Sequence, residues 1–121
     1  MKIIKKNRLF KVGKKKNIIL KDVGHINLKI NENVTFKNNK SKEYDICRKK
    51  WGYYLTPSLN KRLIKFGYLT ALVFNKNYNT YFIHLVDKEK KSSFLSYLKS
   101  EDMDVVCWLN KKKLENIRSK I

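Results

Sequence analysis

Residues 47–67 of this 121-residue chain have the sequence CRKKWGYYLTPSLNKRLIKFG. The stretch contains one of the two tryptophans and the only proline of the chain. Before it, apolar residues recur with the period of two that is typical of strands, and within it the first helical period begins. We therefore take this stretch as the junction between a strand-rich first half and a mixed second half.

The second part of this junction predicts a helix from Pro57 to Phe66. Thr56 is a residue type that caps helix N-termini, and proline suits the first helical position. Apolar residues then recur at helical spacing, and Gly67 is a typical C-terminal cap.

The segment before the junction predicts short antiparallel strands. Ile26, Leu28 and Ile30 alternate with polar residues, as in a half-buried strand. Turn-forming residues at 31–33 and 38–41 are expected to separate this strand from strands at 34–36 and 44–47. Residues 1–17 are predicted to be a mobile basic lead-in with a solvated lysine run at 14–16.

The segment after the junction predicts a central hairpin, two helices and one more strand. The hairpin strands are 69–74 and 81–86, apolar on both faces and therefore expected in the centre of a sheet. Asp87 or a neighbouring residue is expected to cap a helix at 88–99, with Phe94, Leu95 and Leu98 as its buried stripe. The chain ends with an acidic break at 101–104, a buried strand at 105–109 and an amphipathic helix at 111–121, for which Asn110 is the expected cap.

These elements predict an α+β fold in a single domain, residues 1–121. We expect a mainly antiparallel sheet built from hairpins, with two or three helices packed on it. The strand at 105–109 is expected beside the central hairpin.

The net charge of +19 has two explanations. A polyanion such as nucleic acid is the natural partner of so basic a chain. However, 25 of the 29 basic residues are lysine, and the chain is also rich in asparagine and isoleucine. These three amino acids have A/T-rich codons, so a genome of low GC content would raise the lysine count without selection for a binding surface. Proteins that recognise phosphate prefer arginine.

Several protein classes are not supported by the sequence. No apolar run is long enough to span a bilayer, and no signal peptide is evident, so we expect a cytoplasmic protein. The two cysteines and two histidines lack metal-ligand spacing, and no glycine-rich phosphate loop follows a strand, so we predict no metal and no cofactor.

Catalysis has little support, and the sequence leaves open whether the chain is an enzyme. His25 lies on the polar face of its strand, and His84 shares a face with Phe82 and Val86, as expected of a core histidine. A nucleophilic Cys47 or Cys107 is the remaining enzymatic alternative, with His84 as the base that the fold would have to bring close.

The residues that folding alone does not explain form our candidate ligand site. They are a basic-aromatic run and two residues of the predicted helix: Arg48, Trp51, Tyr53, Tyr54, Asn60 and Arg62. Aromatic rings stack on a sugar or a base, and guanidinium groups bind phosphate. The alternative is that the three aromatic residues belong to the core or cover a strand end.

Three segments, WGYYLTPSLNKRL (51–63), LTALVFN (69–75) and VVCWL (105–109), resemble small uncharacterised bacterial proteins. The resemblance extends over residues 23–110. The genes of those proteins lie among genes of surface-polysaccharide and nucleotide-sugar biosynthesis, and the family has no established activity that could be transferred. The resemblance implies a part in a sugar pathway. Together with the basic-aromatic run, it leads us to expect a small accessory or ligand-binding protein of surface-polysaccharide biosynthesis that binds a phosphorylated sugar or nucleotide-sugar. The alternative hypothesis is a sequence-tolerant nucleic-acid-binding protein that uses lysines 14–16, 49–50 and 111–113.

Overall fold

The structure is a computed structural model that describes residues 1–38 and 42–121. Within these residues the chain forms an α+β fold with three antiparallel sheets. The strands are β1 (Lys2–Val12), β2 (Ile18–Asn27), β3 (Asn33–Lys37), β4 (Glu43–Lys49), β5 (Gly52–Thr56), β6 (Tyr68–Asn75), β7 (Thr80–Asp87) and β8 (Met103–Trp108). The helices are α1 (Arg62–Lys65), α2 (Lys91–Ser100) and α3 (Lys111–Ser119), and a 3-10 turn, Lys88–Lys90, leads into α2.

The chain divides into two compact units. The first contains Met1–Phe36 and Asp45–Leu55, and the second contains Lys37–Tyr44 and Thr56–Ile121. Each unit is described by itself below.

The first unit contains a long two-stranded ribbon, β1 paired with β2, and most of a sheet with the strand order β3-β4-β5. The ribbon pairs Lys2 with Asn27 at one end and Val12 with Ile18 at the other. At about 3.4 Å per residue, β1 is about 35 Å long. Leu28 is the one buried residue of this unit, all of whose residues the structure describes.

The second unit has a hydrophobic core under a sheet with the strand order β7-β6-β8. Ala71 and Val73 of β6 are fully buried, and Leu98 of α2 packs against them. Val86 and Met103 complete this cluster, against which Phe94 and Trp108 are partly buried. The central hairpin and the position of β8 beside it are as predicted.

Two of the predicted helix caps are confirmed by hydrogen bonds. The Asp87 carboxylate accepts the Glu89 N–H at 3.0 Å, and the Asn110 side chain accepts the Lys113 N–H at 2.8 Å. Gly67 ends α1 with a φ of +86°, and its N–H donates to the Ile64 carbonyl.

The predicted helix from Pro57 to Phe66 is wrong at its N-terminal end, because the helix begins at Arg62. Only Arg62–Lys65 is helical, and Pro57 follows a cis peptide bond in the turn after β5. Ser58 takes the role expected of Thr56, because its hydroxyl accepts the Arg62 N–H and its carbonyl accepts the Leu63 N–H. The chain thus makes one more turn before the helix begins.

The expectation for the N-terminal residues also differs from the structure. The predicted basic lead-in contains β1, and the strand predicted around residues 25–30 is displaced because β2 ends at Asn27. The register between β1 and β2 shifts between Lys5 and Arg8. Such a bulge breaks the period of two, so β1 has no regular alternation in its sequence. The turn predicted at 38–41 lies mostly outside the described residues.

Three smaller expectations are corrected in the second unit. β7 is an edge strand rather than a central one, and its Tyr81 and Ile83 side chains are exposed. Leu95 is 43% exposed, so the buried face of α2 is narrower than predicted and is formed by Phe94 and Leu98. The last strand begins at Met103, inside the predicted acidic break.

The buried face of α2 can be tested with two leucines of the same helix. Leu98→Ala should lower the free energy of unfolding by about 2–5 kcal/mol, because it opens a cavity in the core. Leu95→Ala should cost much less, since Leu95 is 43% exposed and lies outside the core cluster. Urea unfolding of the two variants makes the comparison, and equal losses would contradict this packing of α2.

Candidate functional site

Basic side chains are concentrated on the β1–β2 ribbon. Residues 2–27 contain nine of the 29 basic residues of the chain but only one of its ten acidic residues, Asp22. All nine basic side chains are exposed. They are Lys2, Lys5, Lys6, Arg8, Lys11, Lys14, Lys15, Lys16 and Lys21. The ribbon therefore presents positive charge along its length.

The single acid of the ribbon has a structural role. The Asp22 carboxylate accepts the Gly24 N–H at 3.1 Å and lies 3.7 Å from the Arg8 guanidinium. That guanidinium also lies over the Phe10 ring, 5.1 Å from its centroid. Asp22 thus supports the backbone beside the bulge rather than offsetting the charge of the lysines.

The backbone at Gly24 permits the two strands to approach each other. Gly24 has a φ of +143°, and a Cβ built on it would lie 2.1 Å from the Ile4 carbonyl oxygen. At the other end a tight turn closes the ribbon, with the Lys16 N–H donating to the Gly13 carbonyl at 3.0 Å. This turn presents the three consecutive lysines 14–16.

One face of the ribbon combines lysines with aliphatic side chains. Lys11 lies opposite Ile19, and Leu9 lies opposite Lys21. Directly opposed residues of an antiparallel pair point to the same face, so these two pairs are neighbours on one face. Leu9 and Ile19 are 66% and 62% exposed. We call this surface, Leu9, Lys11, Ile19 and Lys21, the lysine–aliphatic face.

The six predicted ligand-site residues are divided between the two units. The first unit contains Arg48, Trp51, Tyr53 and Tyr54, and the second contains Asn60 and Arg62. Their assembly into one site stays a prediction.

The structure shows what the two arginines of that set contact. The Arg48 guanidinium donates to the Leu28 carbonyl at 2.6 Å, and the Arg48 backbone exchanges hydrogen bonds with Asn31 and Glu32. Arg48 therefore fixes the turn that follows β2. Arg62 begins α1, and its guanidinium lies 5.8 Å from the centroid of the Phe66 ring.

The three aromatic residues of the predicted site are not in the core. Trp51 is 70% exposed, and Tyr53 and Tyr54 are also mostly exposed. Trp51 lies in the turn between β4 and β5, and both tyrosines belong to β5. Their rings are accessible to a ligand.

The two histidines differ in exposure, and both cysteines are free thiols. A cysteine nucleophile with His84 as its base stays a prediction. His25 is exposed, as predicted. His84 is half-buried beside Phe94, with 5.5 Å between ring centroids, and burial lowers its pKa.

Two further features of the described residues bear on function. Among residues 1–38 and 42–121, no three His, Cys, Asp or Glu side chains are grouped to hold a metal ion. Within the same residues, no helix is long and apolar enough to cross a bilayer.

Comparison with protein-family models, curated proteins and solved structures finds no match to this chain.

The two glycines with φ near +140° test the close approach at Gly24. Gly24→Ala should disrupt the ribbon through both backbone strain and the clash with Ile4, whereas Gly52→Ala adds strain alone because nothing lies within 4 Å of its Cβ. Exchange of the β1–β2 amides should be faster in Gly24→Ala than in Gly52→Ala. Equal exchange in both variants would show that the clash does not determine the pairing.

The burial of His84 predicts a pH dependence of stability. Its pKa is lower in the folded state than its ordinary value of 6.5, so the unfolded chain binds the proton more readily. The contribution of His84 to the free energy of unfolding is complete above pH 6.5 and decreases as the pH falls below that value. His84→Asn should flatten the decrease in unfolding free energy over this window, and the exposed control His25→Asn should not. Identical profiles for both variants would refute the effect.

Proposed function

We propose that this protein binds duplex DNA without strong sequence preference through the β1–β2 ribbon. The observation that supports the proposal most is the charge distribution of the ribbon, nine exposed basic residues against one acid that is held by Gly24 and Arg8. Codon usage alone would raise lysine throughout the chain, whereas residues 2–27 contain nine of the 29 basic residues.

The dimensions of the ribbon fit the groove of a duplex. The major groove of B-DNA, about 12 Å wide, accepts a two-stranded ribbon. Lysines lie at the turn, along β1 and at Lys21 of β2, and each phosphate that a lysine contacts would release condensed counterions. Lysine acts as a point charge, which suits binding to phosphate without base-specific geometry.

A duplex fits the ribbon better than a single strand does. Proteins that bind single strands stack the bases on exposed aromatic rings. The one aromatic residue of the ribbon, Phe10, is half-buried and partly covered by the Arg8 guanidinium. On the lysine–aliphatic face, Leu9 and Ile19 offer apolar contact to groove atoms such as thymine methyl groups.

The alternative from the sequence, an accessory protein that binds a nucleotide-sugar, stays a prediction. Its support is the exposure of the Trp51, Tyr53 and Tyr54 rings. The structure adds a competing role for Arg48, which holds the Leu28 carbonyl and is therefore less available to a phosphate.

Two lysine triplets in this chain form a matched pair of variants. Lys14, Lys15 and Lys16 occupy the turn of the ribbon, and Lys111, Lys112 and Lys113 begin α3. Changing either triplet to glutamine removes the same charge. For duplex binding between about 50 and 200 mM salt, the slope of log affinity against log salt should decrease by about 2–3 in the ribbon variant. It should change little in the α3 variant.

Three outcomes would contradict the proposal. One is equal loss of slope in both variants, which would indicate attraction to the whole basic surface. The second is single-stranded DNA bound as tightly as the duplex. The third is tight binding to anionic vesicles with none to DNA, which would assign the lysine–aliphatic face to a membrane surface.

A further inference from the structure

The second unit contains a cavity of about 220 Å³ beside α1 and the end of β8. Most of its wall is apolar and comes from Leu59, Ile64, Leu69, Leu109 and the indole of Trp108. Asn60 and Arg62 of the predicted ligand site do not line it. A cavity of about 150 Å³ with such walls binds benzene, so this one has room for a single ring with a small substituent.

The cavity has a cationic group at its wall. The Lys91 ammonium lies 4.8 Å from the centroid of the Trp108 ring, and both residues line the cavity. Within the part of the chain that the structure describes, Lys91 forms no ion pair. The Trp108 ring thus contacts the Lys91 ammonium, which has no acidic partner among the described residues.

The N-terminus of α3 adds a second source of positive potential. Asn110, which caps this nine-residue helix, lines the same cavity. No acidic residue lies in the first turn of α3 to offset the helix dipole. A negatively charged group in the cavity would be stabilised by both the helix terminus and Lys91.

A buried hydroxyl group is the third polar feature of this wall. Thr70 lines the cavity and is 5% exposed, and its Oγ1 has no hydrogen-bond partner among the described residues. Leaving a buried hydroxyl unpaired is unfavourable. An oxygen of a bound molecule would supply the partner.

We propose that this cavity binds a small monocarboxylate with an apolar body, such as an aryl or branched-chain acid. The carboxylate pairs with the Lys91 ammonium near the α3 N-terminus, and the apolar body packs between Trp108 and the leucines. The proposal is independent of DNA binding, because every residue that it uses belongs to the second unit.

Benzoate is the probe for this site, and Trp108 is the reporter. Trp51→Phe leaves Trp108 as the sole tryptophan, so its fluorescence reports on the cavity. Benzoate should change that fluorescence saturably. Acetate, which lacks the apolar body, and benzyl alcohol, which lacks the charge, should each bind at least about tenfold more weakly.

Two variants and one control test the polar contacts in that background. Lys91→Met retains the apolar stem and should weaken benzoate binding at least about tenfold, whereas the neighbouring Lys90→Met, outside the cavity wall, should leave it unchanged. Thr70→Val should weaken benzoate binding without lowering the melting temperature, since it removes an unpaired hydroxyl.

Any of three results would overturn the proposal. These are the absence of a saturable response to benzoate in the folded protein, equal affinity for benzoate and benzyl alcohol, and equal effects of Lys91→Met and Lys90→Met. If benzoate binds as expected while duplex DNA does not bind, the cavity proposal stands and the ribbon proposal fails.

Discussion

Backbone pairing between β1 and β2, rather than a buried core, holds the ribbon together. Leu28 is the one buried residue in the fully described first unit, while the second unit buries Ala71, Val73 and Leu98 against one another. Isolated two-stranded ribbons are marginally stable in water. The close approach at Gly24 and the support from Asp22 therefore matter more here than any apolar contact. A partner that binds only the paired ribbon would stabilise it by mass action.

Three described lysines of the second unit form ion pairs with acids: Lys37 with Glu43, Lys42 with Asp87 at 2.6 Å, and Lys76 with Asp104 at 3.1 Å. In the ribbon the single acid, Asp22, is engaged with Arg8 and Gly24, and basic side chains outnumber it nine to one. The same excess charge that weakens the isolated ribbon is what would attract a polyanion to it.

Local signals in the sequence were sufficient for part of the fold. The hairpin of β6 and β7 and the caps Asp87 and Asn110 depend on residues close in sequence, and they were predicted. The sequence pattern misses β1 because its bulge interrupts the alternation, and it misassigns Thr56–Pro57 because the first N–H groups of α1 donate to Ser58 instead. Lysines 14–16 form a charge run in the sequence, but their place at the turn of a ribbon depends on the pairing of β1 with β2. The cavity could not be foreseen, since Lys91 and Trp108 meet only in the folded unit.

The most direct test of the ribbon as the binding surface is amide hydrogen exchange of the full chain with and without a short DNA duplex. Binding in a groove should slow exchange along Lys2–Val12 and Ile18–Asn27, the two strands of the basic ribbon. Amides of α3 should be unaffected, although that helix also begins with three lysines. Slowed exchange at α3 with an unchanged ribbon would contradict the account.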